Sequence, residues 1–486
     1  MAGLSTLPVE LLELVLWYLD DAGEEEHGRF PDREAWQASR NPFRNLMLGH
    51  PRSARIVEPF LYRDIGIWTE HRLVKLMVRI LQDPSIGRLI RHVRCELDVS
   101  EGAGDTPLLS LDLEMLENIF NAAWSSGPLI NITQPLIDDV DEGGISEMLH
   151  DLVHPFDDFR YERPHVWAKV LLITLCHAPS IESLVVHSSE HAMDKESSPT
   201  LLMLHDRLPF PGRPCQPDFP HFVNLRSVTV KPNRFWGPVA ARPLAVILGL
   251  PNIHRLEVHD DDGWEGDAGW SAMLPAESRL EELLLYHSRI REGALAELCL
   301  RLRHLSCLLV HFSMWYEHVE APRQSLNNVL PLLPLRSLTL LRRNPGHFID
   351  AWPHRLTCLK SMRLERLALD FKGIFGPVSI GTWPAVRLEE ILPRSLVQLD
   401  ILADWSNQRL DIHGAGQWYW SLLRSQTRQV AQLRVGPDGM LFAKLRRFSI
   451  TIPDDEEPPY GIEDRDIEWK KVDPGWFEDW DTYTIH

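Results

Sequence analysis

Between residues 181 and 450 the chain repeats one short pattern nine times: apolar, two variable residues, apolar, one variable residue, apolar. The copies occupy 181–186, 225–230, 253–258, 280–285, 305–310, 335–340, 364–369, 396–401 and 445–450. A tenth lies upstream at 90–95. Most spacings fall between 25 and 32 residues. One unit of that size cannot bury its own apolar face, so successive units must stack into a solenoid. Alternation within each copy fits a short strand. Solenoids mostly bind other molecules.

The segments between copies read as helices, for example 243–248, 292–302, 326–333 and 386–392. Leu250-Pro251, Leu333-Pro334 and Leu392-Pro393 each place a proline just before the next strand. Proline ends a helix and biases the residue before it toward extended backbone. Helix, break and short strand in repetition predict an α/β solenoid with parallel strands on its concave face. Ser288 and Arg343 stand where a leucine-rich repeat usually carries asparagine, so the repeats are degenerate and irregular curvature is expected. A Pro- and Ser-rich stretch at 188–221 reads as an insertion in the solenoid. The expected organisation is a helical head at 1–65, a solenoid at 66–452 and a C-terminal tail or cap at 453–486.

Charge narrows the function. The formal net charge is −19, a field that repels a phosphate backbone and argues against nucleic acid as partner. From Asp454 to Asp481 there are 12 acidic and 3 basic residues, so 12 − 3 = 9 of those negative charges sit in the tail. The tail also carries Trp469, Trp476, Phe477 and Trp480, which suit docking as a cap on the last repeat. The six cysteines form no CxxC pair and read as reduced thiols of an intracellular protein, cytoplasmic or nuclear. The apolar run at 11–19 contains Glu13 and is too short to span a bilayer, so no membrane role is expected.

The first 65 residues have a different pattern. Leu11, Val15 and Leu19 fall four apart, with Leu12 and Leu16 beside them, on one broad helix face. Thr6 suits the N-cap and Pro8 the first turn. Leu7-Pro8-x-Glu10-Leu11, followed by Val15-Leu16 and Leu19, resembles the opening of an F-box. The segments 43–48 and 59–65 resemble its second and third helices and their exit, as in fungal-type F-box proteins. An insertion at 20–41 and Gly49-His50-Pro51 depart from that pattern. The resemblance implies a recognition subunit of an SCF-type cullin–RING ubiquitin ligase with no catalytic residue or cofactor of its own. Leu7, Pro8, Leu11, Val15, Leu16 and Leu19 match positions that build or face the contact with a Skp-family adaptor, and through it a cullin. The solenoid would hold an unidentified substrate protein. The alternative is a non-ligase scaffold whose N-terminal helices only cap the solenoid, with Leu7, Leu11 and Val15 buried within the chain.

Strand alternation assigns His259, Tyr286, His311, Leu284, Leu309 and Leu341 to the concave face, as an aromatic and apolar patch suited to a protein partner. Coverage of the same patch by loops or by the tail is the competing expectation. His259 and His311 lie two strands apart, too far for an easy shared metal, and Tyr286 is a poor third ligand. His187-Ser-Ser-Glu190-His191 matches the HxxEH pattern of inverted zinc proteases, but it leaves a strand for a Ser/Pro-rich loop rather than occupying a helix. No metal is therefore expected, and no phosphate-cradling glycine loop or nucleophile elbow occurs.

Overall fold

The computed structural model describes residues 16, 33–49, 51–95, 170–171, 174–188, 222–232, 241–261, 274–312, 325–342, 356–370, 374, 387–402, 425, 442–451 and 468–472. They belong to two units, Met1–Ile253 and His254–His486.

The first unit opens with two helices, α1 (Arg33–Gly49) and α2 (Pro51–Arg63). Gly49 ends one and Pro51 starts the other, the positions at which each residue type is least costly. Their facing sides bury Leu16, Phe43, Val57 and Phe60, with Leu46, Ile56 and Leu61 packed around them. Phe43 and Phe60 stack with centroids 6.0 Å apart. The chain then enters β1 (Asp64–Ile67), α3 (Glu70–Gln82), α4 (Pro84–Gly87), β2 (His92–Cys95), β3 (Ser183–Ser188), β4 (Ser227–Pro232) and α5 (Ala241–Leu248). The strands β1 to β4 pair in chain order, all parallel.

The helices are tied to β1 by polar and aromatic contacts. Asp64 accepts from Arg40 and, at 3.1 Å, from Arg63 Nε, while His92 Nε2 stands 3.8 Å from its other oxygen. Arg40 also donates to the Phe60 carbonyl at 3.1 Å. Trp36 of α1 meets Trp68 edge-on at 4.9 Å. Gly66 is required beneath that pair, because a Cβ there would overlap the Trp68 ring.

The second unit contains β5 (Arg255–His259), β6 (Glu282–Ser288), α6 (Glu292–Arg301), β7 (Cys307–Phe312), α7 (Leu326–Val329), β8 (Ser337–Arg342), β9 (Arg366–Asp370), α8 (Leu388–Ile391), β10 (Gln398–Leu402), β11 (Arg447–Thr451) and β12 (Glu468–Val472). These strands also pair in parallel and in chain order. Small N-terminal helices followed by an irregular α/β solenoid of parallel strands with flanking helices is therefore the observed architecture.

The three pattern positions form the core. Ile253, Leu256 and Val258, then Leu280, Leu283 and Leu285, then Leu305, Leu308 and Val310 are all fully buried. Each such side chain stabilises the fold by about 1.5–3 kcal/mol relative to exposure. A backbone device repeats with the pattern. The carbonyl of its second residue accepts two amide N–H groups from the next copy: His254 from Glu281 and Glu282, Glu281 from Ser306 and Cys307, Ser306 from Arg336 and Ser337. Arg336, Glu365 and Val397 continue the series. In the second unit this ladder fixes the starts of β5 to β11 against one another.

Two predicted helices are shorter than their apolar pattern suggested. The 326–333 segment gives α7 and then a 3₁₀ turn at Leu330–Leu332, because Pro331 cannot donate an α-helical hydrogen bond. The 386–392 segment is helical only over α8, where Leu392 turns extended ahead of Pro393. The 189–221 part of the insertion lies outside the described residues.

Candidate functional site

Two places bear on the predicted sites. At the head, Leu16 is fully buried in the core with Phe43, Val57 and Phe60. Its side chain builds the helix packing, the first of the two roles, building or facing the contact, that its motif position implies. Leu7, Pro8, Leu11, Val15 and Leu19 lie outside the described residues.

The second place is the face of β5 to β8. Here alternation put the right side chains together. His259 is opposite Tyr286, and their rings stack at 4.7 Å. Tyr286 meets His311 edge-on at 5.1 Å. His311 is opposite Leu341, and Leu284 is opposite Leu309. A bulge shapes this row. Leu285 pairs with Val310 and Ser288 with Phe312, so Tyr286 and His287 together oppose His311. His287 takes a positive φ of 54° to make room for the extra residue.

The patch is nevertheless not an open surface. Leu284, Leu309, His311 and Leu341 are 7, 2, 1 and 1 % exposed. Only His259 and Tyr286 keep intermediate exposure. Their neighbours in the same rows, Thr339, Ala368 and Asp400, are also buried. Leaving so much apolar area in water would cost about 25 cal/mol per Å², and the fold covers it. Of the six residues expected to form the patch, His259 and Tyr286 make its accessible aromatic edge, and Leu284, Leu309, His311 and Leu341 are buried beside them.

Charge surrounds that edge. Glu257 Oε1 lies 2.9 Å from His259 Nε2, and Arg255 donates to its other oxygen at 2.9 Å. Arg255 also reaches Glu282 at 3.1 Å. Burial pushes the Glu257 carboxyl up, but hydrogen bonds and charge from His259 and Arg255 outweigh it and hold the group at about 2. Burial, then His287 and His259, keep the buried His311 well below the usual imidazole value. His311 is therefore a neutral ring at physiological pH. Arg255 and Glu282 did not enter the predicted site. The readable signal was their opposite charge at matching pattern positions in adjacent copies, a favourable cross-strand pair.

The other sequence motifs gain no support as chemistry. His187 lies in strand β3, whereas the HxxEH pattern needs both histidines on one helix. Glu190 and His191 lie outside the described residues. Among the described residues no group of three His, Cys, Asp or Glu side chains is placed to hold a metal ion. Cys176 and Cys299 are buried, and burial pushes their thiols up to about 12, so they pack as small apolar groups. No helix among the described residues is long and apolar enough to cross a membrane. Family models and curated proteins gave no match to this chain.

Proposed function

We propose that this chain is the substrate-receptor subunit of an SCF-type cullin–RING ubiquitin ligase. Its head binds a Skp-family adaptor and its solenoid holds a substrate protein. The observation that carries the reading is the direct seating of helices α1 and α2 on the first strand of a parallel α/β solenoid. A receptor of this kind works by proximity. Holding a substrate on the same chain as the adaptor-binding head raises the effective concentration of substrate lysines near the conjugating enzyme. The chain itself supplies no reacting group in this mechanism.

A second reading has a specific observation in its favour. Leu16 is fully buried, and Asp64 clamps the helices to β1. A non-ligase scaffold capped by these helices would use both features in the same way. The two readings part at Leu11 and Val15. Co-expression with a Skp-family adaptor separates them, comparing wild type with a Leu11→Asp, Val15→Asp variant of equal thermal midpoint. The receptor reading expects stoichiometric co-purification that the double variant loses. Folded wild type that brings down no adaptor leaves the scaffold reading.

A further inference from the structure

In the second unit, the strand-start edge formed by the last four pattern copies is cationic in a chain whose net charge is −19. Arg336, Arg363, Arg366, Arg394, Lys444 and Arg446 are all exposed there. No ion pair or side-chain hydrogen bond engages these six among the described residues. Within the four stretches that bring the chain to β8, β9, β10 and β11 (333–337, 360–366, 393–398 and 443–447), the one carboxylate is Glu365. The edge is also rigid. Arg336 accepts from Glu365 and Arg366 N–H, and Val397 from Arg446 and Arg447 N–H, so the ladder holds the cations on successive rungs.

From this geometry we infer that the edge is a docking surface for a carboxylate-rich, extended segment of a partner protein. Four rungs spaced about 4.8 Å apart cover about 14 Å, the reach of roughly five extended residues. The cations are distributed over four successive rungs, β8 to β11, rather than gathered on one. That arrangement suits charge distributed along a peptide better than a single phosphate group. Long polyanions are disfavoured by the net negative field of the whole chain. A short segment is attracted locally, because charges beyond about 8 Å are screened at physiological ionic strength. The inference deepens the receptor reading by naming the class of substrate segment, and its test does not involve the adaptor.

The test is fluorescence anisotropy on the full chain with a labelled twelve-residue peptide of alternating Glu and Ser. A Gln/Ser peptide and an oligothymidylate of equal charge serve as comparators. The expected result is binding of the Glu/Ser peptide over the Gln/Ser one, weakening steadily as salt rises from about 50 to about 300 mM. Arg363→Gln, Arg366→Gln and Arg446→Gln together should weaken it about ten-fold, while the corresponding Arg→Lys triple retains it. Equal binding of the Gln/Ser peptide, or an unchanged affinity in the Gln triple, overturns the proposal. So does tighter binding of the oligothymidylate. Neutralising the chain's own tail with Asp454→Asn, Asp455→Asn, Glu456→Gln and Glu457→Gln should leave the affinity unchanged. A rise of about ten-fold would make that tail the occupant, and the partner assignment would fall. Peptide binding without adaptor binding would leave a scaffold for acidic segments. The reverse would leave a ligase receptor that recognises something else.

Discussion

Asp64 in the first unit and Glu257 in the second are held by the same kinds of partner, arginine and histidine, yet they do different work. Asp64 draws on Arg40, 24 residues away in helix α1, on Arg63 at the end of α2 and on His92 in β2. It joins helices to sheet. Glu257 draws on Arg255 and His259, each two residues away on its own strand. It joins nothing that the backbone ladder does not already join. The lesson is that a carboxylate's structural weight depends less on its partners' chemistry than on how far apart in the chain they originate.

The contrast is broken if removing Asp64 costs no more than removing Glu257. Asp64→Ala leaves Arg40 and Arg63, only 13 and 17 % exposed, without their counter-charge. We expect a loss of about 3 kcal/mol or more, seen as an early urea transition. Glu257→Gln keeps the shape and one acceptor, and should cost about 1–2 kcal/mol with the same cooperativity. Arg255→Gln, whose side chain is 45 % exposed, should cost under about 1 kcal/mol.

pH sharpens the same comparison. His311 has its folded value below 6.5, so the unfolded chain takes up that proton first. Stability should therefore begin to fall as pH drops below about 6.5. Glu257, at about 2 when folded against an ordinary 4.5, adds a second loss as pH falls from 4.5 toward 2. Thermal midpoints measured against pH check both windows. His311→Leu should flatten the first and leave the second, and an unaltered profile would remove His311 from the account.

The strands were legible because a leucine pattern at solenoid spacing leaves few alternatives. The ten pattern copies all became strands, β2 to β11. β1 was missed because Asp64-Ile-Gly-Ile67 is short, lacks the pattern and follows a helix directly. α3 was missed although Thr69 caps it, accepting from Arg72 N–H at 3.4 Å, and Leu73, Met77 and Ile80 mark its buried face. At the candidate site, alternation correctly grouped the rings of His259, Tyr286 and His311. It could not tell that the apolar members of the group are covered, because burial on a sheet face depends on tertiary packing that no local pattern carries. The bulge was equally hidden, since histidine adopts positive φ more readily than most residues yet only rarely, and one at 287 does not by itself mark a bulge.

The central claim is that the N-terminal helices serve an adaptor as well as the solenoid. Isothermal titration of the purified full chain with a Skp-family adaptor tests it most directly. One adaptor per chain, with binding unchanged by Glu257→Gln, is the predicted result. No heat of binding from folded protein would contradict it and leave the helices as a cap alone.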